Sequence, residues 1–186
     1  MSVGQVLDKV EEDGVFYHRS GGGMTLSGGE ALMQPTFANA LLREARRRHL
    51  NTAIETCGCC PYGHLHEACT HLDKLIFDIK SLDAKAHKAQ TGVDNTLILH
   101  NFIKVCKNFP SLLIQVHTPV IPGFNDNEDD ILAIRRFIPR RPNVEYELLA
   151  YHRMGQPKYS YLGRPYELKG VNLDSSRLER LKAVAR

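Results

Sequence analysis

The chain has 186 residues, 42% hydrophobic and 24% charged, with a net charge of +3, enough for one well-buried core and too short for two. So mild a charge argues against a nucleic-acid binder, no apolar run reaches membrane-spanning length, and the first residues lack the basic and apolar regions of a secretory signal. An odd count of 5 cysteines speaks against a disulfide-stapled secreted domain, so a cytoplasmic protein is expected.

Val3, Val6, Leu7 and Val10 recur at a helical period, and residues 15–17 read as a brief aromatic connector. Residues 20–34 then hold two glycine clusters around Met24, Thr25 and Leu26, a short buried strand. The turn at its carboxyl end is Ser27, Gly28, Gly29 and Glu30. Glycine clusters mark places where positive φ or close backbone approach is needed. This turn therefore presents bare backbone and one carboxylate to a small polar ligand. Pro35 sits where the first turn of a helix tolerates it, and Phe37, Ala38, Leu41, Leu42 and Ala45 form its apolar stripe. Arg46, Arg47 and Arg48 fall at the end of that helix, where cations suit the dipole.

Residues 51–55 read as a second strand ending in polar Glu55 and Thr56. A segment with Cys57, Cys59, Cys60, His64, His66, Cys69 and His71 follows. Residues 74–80 form a third strand, with Asp78 and Lys80 at its carboxyl end on one face. A helix carrying Ile98, Phe102 and Val105 leads to a fourth strand over 112–116 that continues through His117 to Pro122 and Gly123. Asn125, Asp126 and Asn127 can cap a helix with Ile131, Ile134 and Ile138 inward, stopped by Pro139. Residues 144–149 are a fifth strand running into Tyr151 and His152. A polar, aromatic loop follows, and Asp174 caps a last helix with Leu178, Leu181 and Ala185 inward.

Strands alternating with helices at this spacing mean βαβ units and a parallel α/β sheet, either open or curved like a barrel. In such a sheet the polar residues at the strand ends share one rim. That rim collects residues 27–30, Glu55, Thr56, Asp78, Lys80, His117 and His152. Acidic, basic and imidazole groups over exposed backbone suit a zwitterionic, ribose-bearing ligand.

Five motifs occur in order: GGGMTLSGGE from Gly21, ETCG from Glu55, DIK from Asp78, PVIPGFND from Pro119 and YHRMG from Tyr151. Together they resemble the glycyl-radical-enzyme activating enzymes of the radical S-adenosylmethionine superfamily, the group that includes the pyruvate formate-lyase activating enzyme. The resemblance runs from about Phe16 to Gly163. It implies a partial (β/α) barrel, an oxidoreductase of anaerobic metabolism, and two cofactors, S-adenosylmethionine and a [4Fe–4S] cluster. Reductive cleavage there yields a 5′-deoxyadenosyl radical that removes hydrogen from a glycine of a partner glycyl radical enzyme. The implied electron donor is a protein such as flavodoxin or ferredoxin.

By matching position, the resemblance gives Gly28, Gly29 and Glu30 the methionyl amine, and Asp78, Ile79 and Lys80 the ribose and carboxylate. His117 and His152 become cofactor contacts, and Glu55, Thr56 and Asp78 match positions that bind a monovalent cation. His117 stands where relatives commonly carry arginine, and Glu55 where an aspartate is common. The family's cluster loop, Cys-x-x-x-Cys-x-x-Cys, lies upstream of the Gly-Gly-Glu turn, yet no cysteine precedes Cys57. The expectation is therefore one incomplete, N-terminally truncated barrel domain over 1–186, lacking the first strand and cluster loop and inactive alone. Two alternatives stand beside it: a non-catalytic binding module, and a small zinc-binding α/β protein using the cysteines and histidines from Cys57 to His71.

Overall fold

The computed structural model describes residues 1–166, 168 and 170–186. The chain opens with α1 (Val3–Glu11), whose start is fixed by a reciprocal cap. Gln5 N–H donates to the Ser2 hydroxyl at 3.3 Å, and Ser2 N–H donates to Gln5 Oε1 at 2.8 Å. Residues 15–17 are not a connector but lie within α2 (Gly14–Ser20), which ends on Gly21 at φ 68°. Nothing on α2 is buried, and Val15 and Phe16 are exposed, so the helix lacks the apolar stripe that betrays one in a sequence.

β1 (Gly23–Leu26) leads through the rim turn and a 3-10 turn at Ala31–Met33 into α3 (Pro35–Arg47). The rest follow as β2 (Asn51–Thr56), α4 (Tyr62–Cys69), β3 (Lys74–Asp78), α5 (Ala84–Thr91), α6 (Thr96–Asn108), β4 (Leu113–Val120), α7 (Glu128–Phe137), β5 (Val144–Ala150), α8 (Gln156–Tyr161) and α9 (Ser175–Ala185). The arginines closing α3 are all ion-paired: Arg46 with Asp73 at 3.4 Å, Arg47 with Glu44 at 2.7 Å, and Arg48 with Asp8 and Glu11 at 2.8 Å each.

The five strands form one parallel sheet in the order β1-β2-β3-β4-β5. Strictly sequential parallel strands with right-handed crossovers place every crossover helix on the same face. Burial alternates accordingly. Thr52, Ile54, Thr56, Leu75, Phe77, Ile114, Val116 and Thr118 are buried toward the helices, whereas Ala53, Glu55, Ile76, Asp78, Gln115 and His117 on the other face keep part of their surface. One face is covered and the other open, and the sheet does not close, β1 and β5 being its two edges.

The main core joins α1, α3, α4 and α6 to the sheet around Leu7, Leu42, Ile54, Leu75, Phe77 and Phe102. A separate cluster of Val120, Ile131, Leu148, Leu178, Leu181 and Ala185 seals α7 and α9 against β5. Among the described residues no helix is long and apolar enough to cross a membrane.

Candidate functional site

Register decides which rim residues meet. Asp78 on β3 lies directly across from His117 on β4, and His117 across from Glu147 on β5. Glu55 on β2 pairs one step back, with Ile76, so all four side chains project from the open face. Ligand atoms of Glu55, Asp78 and His117 lie within 4.8 Å of one another, each residue half-buried.

Neighbours hold the two carboxylates. The Ser27 hydroxyl donates to Glu55 Oε2 at 2.5 Å, and Lys80 Nζ stands 2.7 Å from Asp78 Oδ2. His117 is different. Its side chain is 12% exposed, and neither buried ring nitrogen has a hydrogen-bond partner among the described residues. Glu147 Oε2 stands 3.4 Å from Nε2, within ion-pair range but outside hydrogen-bond geometry. An unmet buried polar group costs about 1–3 kcal/mol, so this imidazole is poised for a ligand.

The turn after β1 has the expected bare backbone. Gly28 sits at φ 124°, and a Cβ built on Gly28 or Gly29 would meet no atom within 4 Å. Glu30, by contrast, is spent internally. Its Oε1 accepts from Leu32 N–H at 3.1 Å and from the Thr56 hydroxyl at 2.7 Å, while Oε2 accepts from Cys57 N–H at 2.9 Å and contacts Cys57 Sγ at 3.1 Å. This carboxylate pins the glycine turn to the end of β2.

Thr56 consequently does not join Glu55 and Asp78. Strand alternation turns its side chain to the helix-covered face, where it is buried. Ile79 buries its side chain in the core, donates its N–H to His117 O at 2.9 Å and accepts from the Thr118 hydroxyl at 2.6 Å. His152 lies just beyond β5, exposed.

Two asparagines that the sequence does not single out for the site support it. Asn125, one of three candidate caps, is fully buried and donates to the carbonyls of Lys80 at 2.7 Å and Pro119 at 3.0 Å. It thereby ties the end of β3 to that of β4, while Asn127 alone caps α7. Asn101 on α6 donates to the carbonyls of Gly58 and Cys60 at 2.8 Å each, clamping the loop after β2. The alternation of Glu145, Tyr146 and Glu147 was the available signal for Glu147 on the open face.

The cysteine- and histidine-rich segment does not converge. Among the described residues Glu55, Asp78 and His117 are the one group of three or more potential ligands, and all 5 cysteines are free. Burial and the neighbouring Glu30 carboxylate push the Cys57 thiol up to about 12, and burial lifts Cys60 to about 11 and Cys69 to about 12. With no three of these side chains meeting among the described residues, the zinc alternative gains no support.

No family model matches the chain. It is 62% identical over 183 residues to the (2S)-3-sulfopropanediol sulfolyase activating enzyme of Bilophila wadsworthia, covering 98% of this chain and 61% of that protein. It is 51% identical over 184 residues to the isethionate sulfite-lyase activating enzyme of Desulfovibrio desulfuricans, covering 99% and 59%. The chain thus spans about three fifths of the length of these curated relatives. Among solved structures, a domain of the pyruvate-formate lyase-activating enzyme from Bacteroides vulgatus superposes with a TM-score of 0.69 at 23% identity, covering 88% of this chain and 92% of that one. At that identity the likeness speaks to fold.

Proposed function

We propose, from the premise that this chain belongs to the glycyl-radical-enzyme activating enzymes, that its rim binds S-adenosylmethionine and serves the activation of a partner glycyl radical enzyme. The observation that carries this reading is the open Gly28–Gly29 backbone after β1, on the same rim as the Lys80–Asp78 pair that ends β3. Open space where a Cβ would stand lets a ligand lie against the main chain. Carbonyls there suit the methionyl ammonium, and the Lys80 ammonium suits its carboxylate. Asp78 would take a ribose hydroxyl, and His117, whose ring nitrogens have no hydrogen-bond partner among the described residues, a further polar contact. Glu30 acts as a positioning residue, holding the turn while its own oxygens are engaged. His152, exposed just past β5, is a further cofactor contact in this reading.

In these enzymes the bound cofactors supply one-electron chemistry, while the protein binds and orients them. The [4Fe–4S] cluster does not fit the cysteines of this chain, which do not converge on one point among the described residues. We therefore derive no step through it and assign this chain the adenosylmethionine side of the site. The glycyl radical enzyme as protein substrate, and an electron donor such as flavodoxin or ferredoxin, belong to the same proposal.

Calorimetric titration with S-adenosylmethionine tests the reading. Saturable binding is expected, weakened about tenfold or more by Lys80→Gln or Asp78→Asn, the loss of one charge-assisted contact. Failure of the folded chain to bind would sink it. Anaerobic incubation with iron and sulfide is expected to leave this chain without a stable four-iron absorption spectrum.

A further inference from the structure

We propose that Asn125 is a positioning residue for Lys80, taking over where Pro119 interrupts the hydrogen-bond ladder between β3 and β4. The ladder reaches Ile79, whose N–H donates to His117 O at 2.9 Å. In a parallel pair of this register the next donor from β4 would be residue 119, and proline has no N–H to give. Two side chains stand in. The Thr118 hydroxyl donates to Ile79 O at 2.6 Å, and the Asn125 amide donates to Lys80 O at 2.7 Å and to Pro119 O at 3.0 Å. Asn125 thus bridges the strands one step beyond their ladder, at the residue whose ammonium stands 2.7 Å from Asp78 Oδ2.

The amide is fully committed. Nδ2 gives one proton to each carbonyl, Oδ1 accepts from Ile121 N–H at 2.7 Å, and the residue is 0% exposed. Its loop is fixed from outside as well. Gly123, at φ 78°, donates its N–H to Asp126 Oδ1 at 3.0 Å, and Arg177 of α9 pairs with Asp126 Oδ2 at 3.2 Å. Main chain held at the Lys80 carbonyl restricts where the lysine stem can start, so its ammonium returns to Asp78 instead of sampling solvent. The Lys80 side chain is nonetheless 24% exposed, within reach of a reagent in solution. The consequence for cofactor affinity rests on the function proposed above, whereas the hold on Lys80 does not.

That hold is measured first, without ligand. The full chain is treated with a trace of acetic anhydride, and acylation at each lysine is read by mass spectrometry. An ammonium kept on a carboxylate is a poor nucleophile, so Asn125→Ala is expected to raise acylation of Lys80 severalfold relative to the other lysines. Asn127→Ala, which removes the α7 cap two residues on, leaves it unchanged. Circular dichroism checks that the variants fold. Should Asn125→Ala fail to fold, Asn125→Ser, which keeps one donor and one acceptor, takes its place. Calorimetry with S-adenosylmethionine then closes a double-mutant cycle. In a Lys80→Gln background the affinity loss caused by Asn125→Ala is expected to shrink by more than about twofold, the margin within which independent sites add. Unchanged Lys80 acylation in the folded variant, a rise shared by all lysines, or an additive cycle would each overturn the proposal. Raised Lys80 acylation by Asn125→Ala, with no S-adenosylmethionine binding by the unaltered chain, would count against the proposed function alone.

Discussion

Glu30 shows how a motif residue acts through its neighbours. Its two oxygens take hydrogen bonds from Leu32, Thr56 and Cys57, so Glu30→Ala strands buried donors. The expected cost is about 1–3 kcal/mol, read as a lower urea midpoint, with Glu30→Gln milder because its carbonyl oxygen still accepts. The cysteines make a second residue-scale prediction. An unfolded thiol ionises at about 8.5, whereas burial holds Cys57 and Cys69 at about 12 and Cys60 and Cys106 at about 11. Between those limits the unfolded chain has released protons that the folded chain keeps. Stability is therefore whole below about 8.5 and falls as pH rises toward the folded values. Urea melts across that window should show the decline, and Cys69→Ala should flatten it. The motif glycines, Asp78, Lys80 and His117 were legible because each is a chemical type at a strand end. Glu147, Asn125 and Asn101 were not, because their importance lies in what they touch.

At the scale of elements, periodicity serves wherever a helix or strand has one buried face. α3, α6, α7 and α9 all carry apolar stripes and stand where the pattern placed them. α2 escaped because it buries nothing. Helix ends also hold a local strain. His49, just past the C-cap of α3, adopts φ 60° without being glycine. His49→Gly is expected to raise the melting temperature slightly, since left-handed backbone costs an L-residue about 1–2 kcal/mol, partly offset by glycine's greater entropy loss. Gly58 is the converse. It sits at φ 67°, and a Cβ there would lie 2.4 Å from the Phe77 ring, so Gly58→Ala is expected to destabilise the chain and disturb the clamp made by Asn101.

For the whole molecule, alternation of strands and helices is a local property of the chain, and it was sufficient for a parallel α/β sheet. The order of motifs added the family, and relatives at 62% and 51% identity agree with it. Only the tertiary structure decided that the sheet keeps strict sequential order with one open face, because strand order follows from long-range pairing. Only it decided that Asp78 stands opposite His117 while Thr56 turns away to Glu30. Register sets those neighbours, and a shift of one residue would send each side chain to the other face. The sequence alone named the chemistry at the rim; the fold chose which groups meet there, and left the His117 ring nitrogens without a hydrogen-bond partner among the described residues.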